Sequence, residues 1–297
     1  MSCRFVRTLI LSARASELER SIAESRFHLE NRVSDCTSLS CTILYMYDNT
    51  CKFLAEQFSA DFASWLLGET VTLTEIQPSE LSLDPIRADA MILLQSEDSI
   101  LHLEFQTIPK ENIPFRMLDY RVRGNRRYKG KPMRQVVIYL KPTTSELAYQ
   151  TSYDLERTHH EFDVVRLWEQ PAELFLQYPG LLPFAALGQS ESPAEMLRQV
   201  TQIIEQIEEA MTQANLLAAS AILAGLRLEQ DVIYRLVRRD IMQESVIYRS
   251  IQNEKTRAIA LNLLRGGVDI NLIASSTGLP IEEVQQLQQQ MNAVPQS

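Results

Sequence analysis

Apolar side chains recur at helical spacing between residues 48 and 68. Phe53, Leu54, Phe58, Phe62, Trp65 and Leu66 share a face there, Asp48 stands as N-cap, and Gly68 supplies the C-terminal stop. The period then shortens to two. ETVTLTEI at 69–76 reads as a strand, and 88–94 and 100–107 read as two more, joined by the turn-forming QSEDS at 95–99. An arginine-rich helical segment covers 114–128, and QVVIYLKP at 135–142 and FDVVRLWE at 162–169 supply further strands. The order α-β-β-β-α-β-β predicts an α/β fold, a mixed sheet flanked by helices. Beyond Ser192, where Pro193 and Glu195 complete a capping box, nearly every segment has a helical pattern.

These shifts divide the chain into an N-terminal extension (1–45), an α/β domain (46–185) and a helical C-terminal region (190–297). The extension fits poorly with the rest of the chain: 12–35 is polar, 36–47 is irregular, and Met46 is an alternative natural start. In the C-terminal region, 220–251 is expected to form bundle core. Residues 268–287 read as helix, turn at Thr277-Gly278-Leu279, then a second helix, a helix-turn-helix-like pair. That second helix carries Glu282 and Glu283 and no Arg or Lys, which favours packing or self-association over contact with phosphate.

The hairpin at 88–107 contains two acids. Pairing Asp89 with Glu104 centres the turn between Ser96 and Glu97. One face then carries Asp89, Met91, Leu93, Ile100, His102, Glu104 and Gln106, and the other is almost wholly apolar. Like charges directly opposite in a sheet repel, and burial without a partner costs more, so compensation is required. A divalent cation compensates, as do a solvated face or nearby arginines.

With 297 residues, 45% of them hydrophobic, the chain can bury a core, and its formal charge of −9 excludes a protein that coats nucleic acid by bulk electrostatics. One segment departs from that balance. Residues 115–134 carry Arg116, Arg121, Arg123, Arg126, Arg127, Lys129, Lys131 and Arg134 against the single acid Asp119. Helical spacing brings Arg116, Arg123 and Arg127 close to one face, and guanidinium groups suit phosphate; arginines paired with acids elsewhere are the plainer alternative. The cysteines (Cys3, Cys36, Cys41, Cys51) include no CxxC pair, so neither a disulfide nor a zinc framework is expected. No apolar run approaches the roughly 20 residues of a membrane span, which predicts a cytoplasmic protein without a membrane partner. His159 and His160 are adjacent, would point to opposite faces of a strand, and read as a loop.

Asp89, fourteen intervening residues, then Glu104-Phe105-Gln106 resembles the PD-(D/E)XK nuclease signature, with Gln106 in place of the lysine and Ala88 in place of the proline. Together with DNTCKFLAEQFSADFASWLLG at 48–68, IRADAMILL at 86–94, HLEFQT at 102–107 and FRMLDYRVRGNRRY at 115–128, the chain resembles the Rpn family of recombination-promoting nucleases and transposase-like proteins over roughly residues 46–290. The resemblance implies a PD-(D/E)XK core of α-β-β-β-α-β order and a Mg²⁺-dependent DNA endonuclease. Asp89, Glu104 and the Phe105 main-chain carbonyl would hold the metal. Gln106 would orient water or touch phosphate, and Glu56 would be the first-helix acid. Arg116, Arg123, Arg126 and Arg127 would contact DNA. A homodimer making paired cuts and a link to recombination or mobile elements are further expectations. The alternative is a catalytically weak or inactive nuclease-fold protein that binds DNA or protein.

Overall fold

A computed structural model describes residues 39–68, 74–75, 91–95 and 99–293, with side chains described over 46–68 and 99–291. The chain divides into two units, 1–44 and 45–297, and residues 1–38 of the expected extension lie outside the described residues.

The apolar stripe predicted to start at Asp48 belongs to a longer helix. Helix α1 spans Leu39–Gln57, so Asp48 lies in its interior rather than at its start, and the stretch read as irregular is helical from Leu39. The pattern explains the correction: Tyr47, Cys51 and Leu54 continue one face at spacings of four and three, and all three are buried. The helix breaks at Phe58, and α2 runs Ser59–Leu67 to Gly68, whose φ of 74° is the expected left-handed stop. Against this break lies Gly180. A Cβ there would stand 2.1 Å from Phe58 Cβ, and its N–H donates to Asp61 Oδ2 at 2.7 Å.

Among the described residues, five strands form the main sheet: β1 (Thr74–Glu75), β2 (Met91–Gln95), β3 (Ile100–Gln106), β4 (Met133–Tyr139) and β7 (Asp163–Arg166). Their spatial order follows that sequence, antiparallel from β1 to β3 and parallel from β3 through β4 to β7. Parallel pairing of β3 with β4 needs a crossover, and α3 (Ile113–Arg127) provides it. The protein is thus mixed α/β with a helical C-terminal region. Gly124 does not interrupt α3. It is buried where the helix passes Met133, whose Cε would lie 2.1 Å from an added Cβ. His159 and His160, read as a loop, instead lie in a strand of a separate antiparallel hairpin, β5 (Ser152–Leu155) with β6 (Thr158–Glu161).

Both faces of β3 are buried. Leu101, Leu103 and Phe105 enter the main core with Val136 and Ile138 of β4, and Phe105 stacks on Phe184 at 6.0 Å. Phe184 comes from a 3₁₀ segment, Pro179–Leu187, in which every residue from Gly180 to Leu187 is buried. Each such large apolar side chain contributes about 1.5–3 kcal/mol. The same core takes in Leu197 of α4 (Pro193–Ile204) and Leu217 of α5 (Ala210–Ala224), so it includes side chains from both sides of residues 185–190. On the opposite sheet face, Ile113 and Met117 of α3 pack on Val137, Tyr139 and Phe162.

Residues 220–251, expected to form bundle core, supply Leu223, Ile233, Met242 and Ile251 to the main core from several helices. After α5 come α6 (Gln230–Leu236), α7 (Arg239–Met242) and α8 (Val246–Arg265), separated by short turns. α9 (Ile270–Thr277) and α10 (Ile281–Ala293) flank the predicted turn at Gly278, and they pack on α8 through Ala260, Leu264, Ile273, Ala274 and Val284. Arg257 of α8 donates to Glu283 of α10 at 2.6 Å. Helix packing within the chain therefore uses this pair. Among the described residues no helix is long and apolar enough to cross a membrane.

Candidate active site

Alternation along β3 places His102, Glu104 and Gln106 on the face covered by α3, and the parallel register sets them beside Gln135, Val137 and Tyr139 of β4. The side chains of His102 and Glu104 are 0% exposed. A solvated acid at this position is thus ruled out. The hairpin register is two residues from the expected one: Met91, not Asp89, lies opposite Glu104, and Leu93 lies opposite His102. A shift of two preserves the faces, so His102, Glu104 and Gln106 still share one. Asp89 itself lies outside the described residues.

Glu104 is compensated by its neighbours. Gln106 Nε2 donates to Glu104 Oε1 at 2.8 Å, and Arg116 Nη2 reaches the same oxygen at 2.8 Å from the first turns of α3. Burial dominates and leaves the carboxyl raised to about 7, against the downward pull of Arg116 and the Gln106 hydrogen bond. Oε2 receives no hydrogen bond from the described residues. Lys110 also favours the charged form, and Asp48 opposes it.

Asp48 is the acid of α1 whose charge acts on this site. It raises the pKa of Glu104 and of Arg116, and adds to the effect of burial in raising the Cys51 thiol. Sequence reasoning assigned Asp48 to a cap, because the apolar stripe becomes regular just beyond it. Glu56, the expected first-helix acid, forms an i,i+4 ion pair with Lys52 at 3.5 Å.

His102 extends the polar cluster away from Glu104. Its Nδ1 lies 2.9 Å from Gln135 Nε2, which also donates to the Met117 carbonyl at 2.8 Å, and Gln135 Oε1 meets His160 Nε2 at 2.9 Å. Burial and the charge of Arg116 lower the His102 pKa to about 3, so the imidazole is neutral. Tyr120 packs edge-on against it at 5.2 Å. The signal for this network was visible in the alternation of His102 with Glu104. Gln135 and His160 lie 33 and 58 positions beyond His102 and became partners only through the parallel pairing and the β5–β6 hairpin.

The arginines of α3 separate by task. Arg116 turns inward to Glu104, Arg121 Nη1 donates to the Met133 carbonyl at 2.9 Å, and Arg123 Nε donates to Asp119 at 3.0 Å. Arg126 and Arg127, in the last turn, are exposed. The expected shared face of Arg116, Arg123 and Arg127 is thus divided between one inward side chain, one intrahelical pair and one solvated cation.

Among the described residues no group of three or more His, Cys, Asp and Glu side chains is placed to hold a metal ion. Glu104 Oε2, an acceptor to which no described residue donates, suits a hard cation that takes oxygen ligands. His102 meets Gln135 through Nδ1, and its Nε2 lies 4.0 Å from Glu104 Oε2. Phe105 turns its ring to the main core, against Phe62 and Phe184, with its main chain in β3 between two residues of the site. Compared with family models, with curated proteins and with solved structures, the chain finds no match in any of the three.

Proposed function

We propose that this chain is a divalent-cation-dependent DNA endonuclease of the PD-(D/E)XK type, related to the Rpn family and working in the cytoplasm. The observation that carries this reading is Glu104: a fully buried acid on a central strand, fixed by Gln106 two residues on, with an oxygen that no described residue occupies, in contact with a cationic helix. The order of two helices, three antiparallel strands, a crossover helix and a parallel strand agrees with such a core.

In this reading Asp89, Glu104 and the Phe105 carbonyl would hold Mg²⁺. When bound, the ion polarises the phosphoryl oxygen and lowers the pKa of a water. Gln106 keeps the Glu104 carboxylate in one orientation through its amide. Arg126 and Arg127 hold the DNA backbone, and Arg116 carries positive charge at the point where the scissile phosphate would enter. One water is consumed: its oxygen bonds to phosphorus, an ester P–O bond breaks, and a proton passes to the departing alkoxide. Two copies making paired cuts, in recombination or element mobility, complete the proposal.

A second reading rests on Arg116. A guanidinium fixed 2.8 Å from Glu104 already balances the buried charge without an added cation, as suits a nuclease fold kept for binding. Cleavage of supercoiled plasmid with Mg²⁺ by wild type, Asp89→Ala and Glu104→Gln separates the two. Nicking by wild type and at least a roughly hundredfold loss in both variants is expected. Equal rates in all three would sink the nuclease assignment, and DNA binding without cleavage would favour the second reading.

A further inference from the structure

Two buried polar atoms face each other without reaching each other. His102 Nε2 and Glu104 Oε2 are 4.0 Å apart, too far for a direct hydrogen bond, and neither has another partner among the described residues. Isolated orphans of this kind are rare, because each costs the full desolvation of its group. Here the two occur as a pair.

Gln135 fixes which nitrogen of His102 carries the proton. Its Nε2 must be the amide nitrogen, since it lies 2.8 Å from the Met117 carbonyl, and an oxygen placed there would meet another acceptor. Its Oε1 takes the His160 Nε2–H at 2.9 Å. The second N–H of the amide therefore points at His102 Nδ1, 2.9 Å away, and makes that nitrogen an acceptor. The proton of the neutral ring is then on Nε2, aimed toward Glu104. A donor and an acceptor 4.0 Å apart match a single hydroxylic oxygen about 2.8 Å from each, which accepts from the ring and donates to the carboxylate.

We propose that His102 Nε2–H and Glu104 Oε2 clasp one buried water molecule, and that His102 is a positioning residue, its tautomer set by Gln135, which fixes the plane of the Glu104 carboxylate. Oε1 is taken by Gln106 and Arg116, so without the water the carboxylate is held at one oxygen only. With it, both oxygens are fixed. Each carboxylate oxygen has two acceptor sites, so Oε2 keeps one for a cation. The water and the tautomer stand independently of any reaction. The positioning role rests on the nuclease reading above.

The test begins with the ¹⁵N-labelled full-length protein. Histidine side-chain spectra should show His102 protonated at Nε2 alone, with a rotating-frame cross-peak from that proton to a long-lived water. Protonation at Nδ1, or no water cross-peak from a visible Nε2–H, overturns the proposal whatever the activity. Gln135→Leu should mix the two tautomers; an unchanged tautomer in a folded variant removes Gln135 from the argument and overturns that part. In plasmid cleavage, His102→Leu should lower kcat about a hundredfold with KM little changed. His102→Gln, which keeps an N–H near the ε position, should recover much of that loss, whereas His102→Asn should not. Equal effects of all three variants would reduce His102 to a packing residue. If wild type cleaves no DNA, the nuclease reading fails and the spectra still decide the water site.

Discussion

Arg116 Nη2 stands 2.8 Å from Glu104 Oε1, joining a guanidinium that is 23% exposed to a carboxylate that is wholly buried. The contact brings an otherwise isolated interior charge into balance with the outer helix, and it links the stability of the α3–sheet packing to the chemistry of the site.

Removing the arginine should therefore cost more than removing the pair. Arg116→Met leaves a buried acid with Gln106 alone and is expected to destabilise the protein by about 3–5 kcal/mol. Adding Glu104→Gln should restore most of that loss. Urea unfolding of the two single variants and the double variant gives the coupling, and additive losses would show that the pair does not act as a unit.

Two buried groups on one strand oppose each other in pH. His102 falls from 6.5 to about 3 on folding, so the unfolded chain binds the extra proton and stability declines as pH drops through that window. Glu104 rises from 4.5 to about 7, so the folded protein binds the extra proton, and its contribution is lost as pH climbs through the higher value. Between pH 4.5 and 6.5 the two slopes cancel. Glu104→Gln should remove the cancellation, giving a stability that rises steadily to pH 6.5 and then levels. Chemical denaturation across that range measures it, and a slope unchanged by the substitution would contradict it.

Gly180 has no room for a side chain, since an added Cβ would lie 2.1 Å from Phe58 Cβ and 3.0 Å from Asp61 Oδ2. Gly180→Ala should thus push the 3₁₀ segment off the α1–α2 break and cost about 1–3 kcal/mol. A thermal melt as stable as wild type would show that the break can move freely.

Arg126 and Arg127 are the exposed cations in the last turn of α3. If both neutralise phosphates, their joint replacement by alanine should weaken DNA binding uniformly across sequences and reduce the salt-dependence slope by about 2. Arg123→Ala, which breaks an intrahelical pair with Asp119, should do much less. Titration of labelled duplex at several salt concentrations distinguishes these outcomes.

Local pattern alone settled several features. Alternation placed Leu101, Leu103 and Phe105 in the core and His102, Glu104 and Gln106 together on the other face, because side-chain direction in a strand depends on parity. Gly68 and Gly278 marked helix ends for an equally local reason, being the residues that adopt positive φ without strain. The hairpin register was not local. A slip of two residues preserves every face, so hydrophobicity could not choose between Asp89 and Met91 as the residue opposite Glu104. Tertiary structure also decided what compensates the acid, bringing Arg116 across from α3 and joining His102 to Gln135 and His160 through a parallel pairing and a distant hairpin. Periodicity along a chain fixes which way a side chain faces. Which partner it meets there depends on elements far apart in sequence, and that is determined only when the whole core packs.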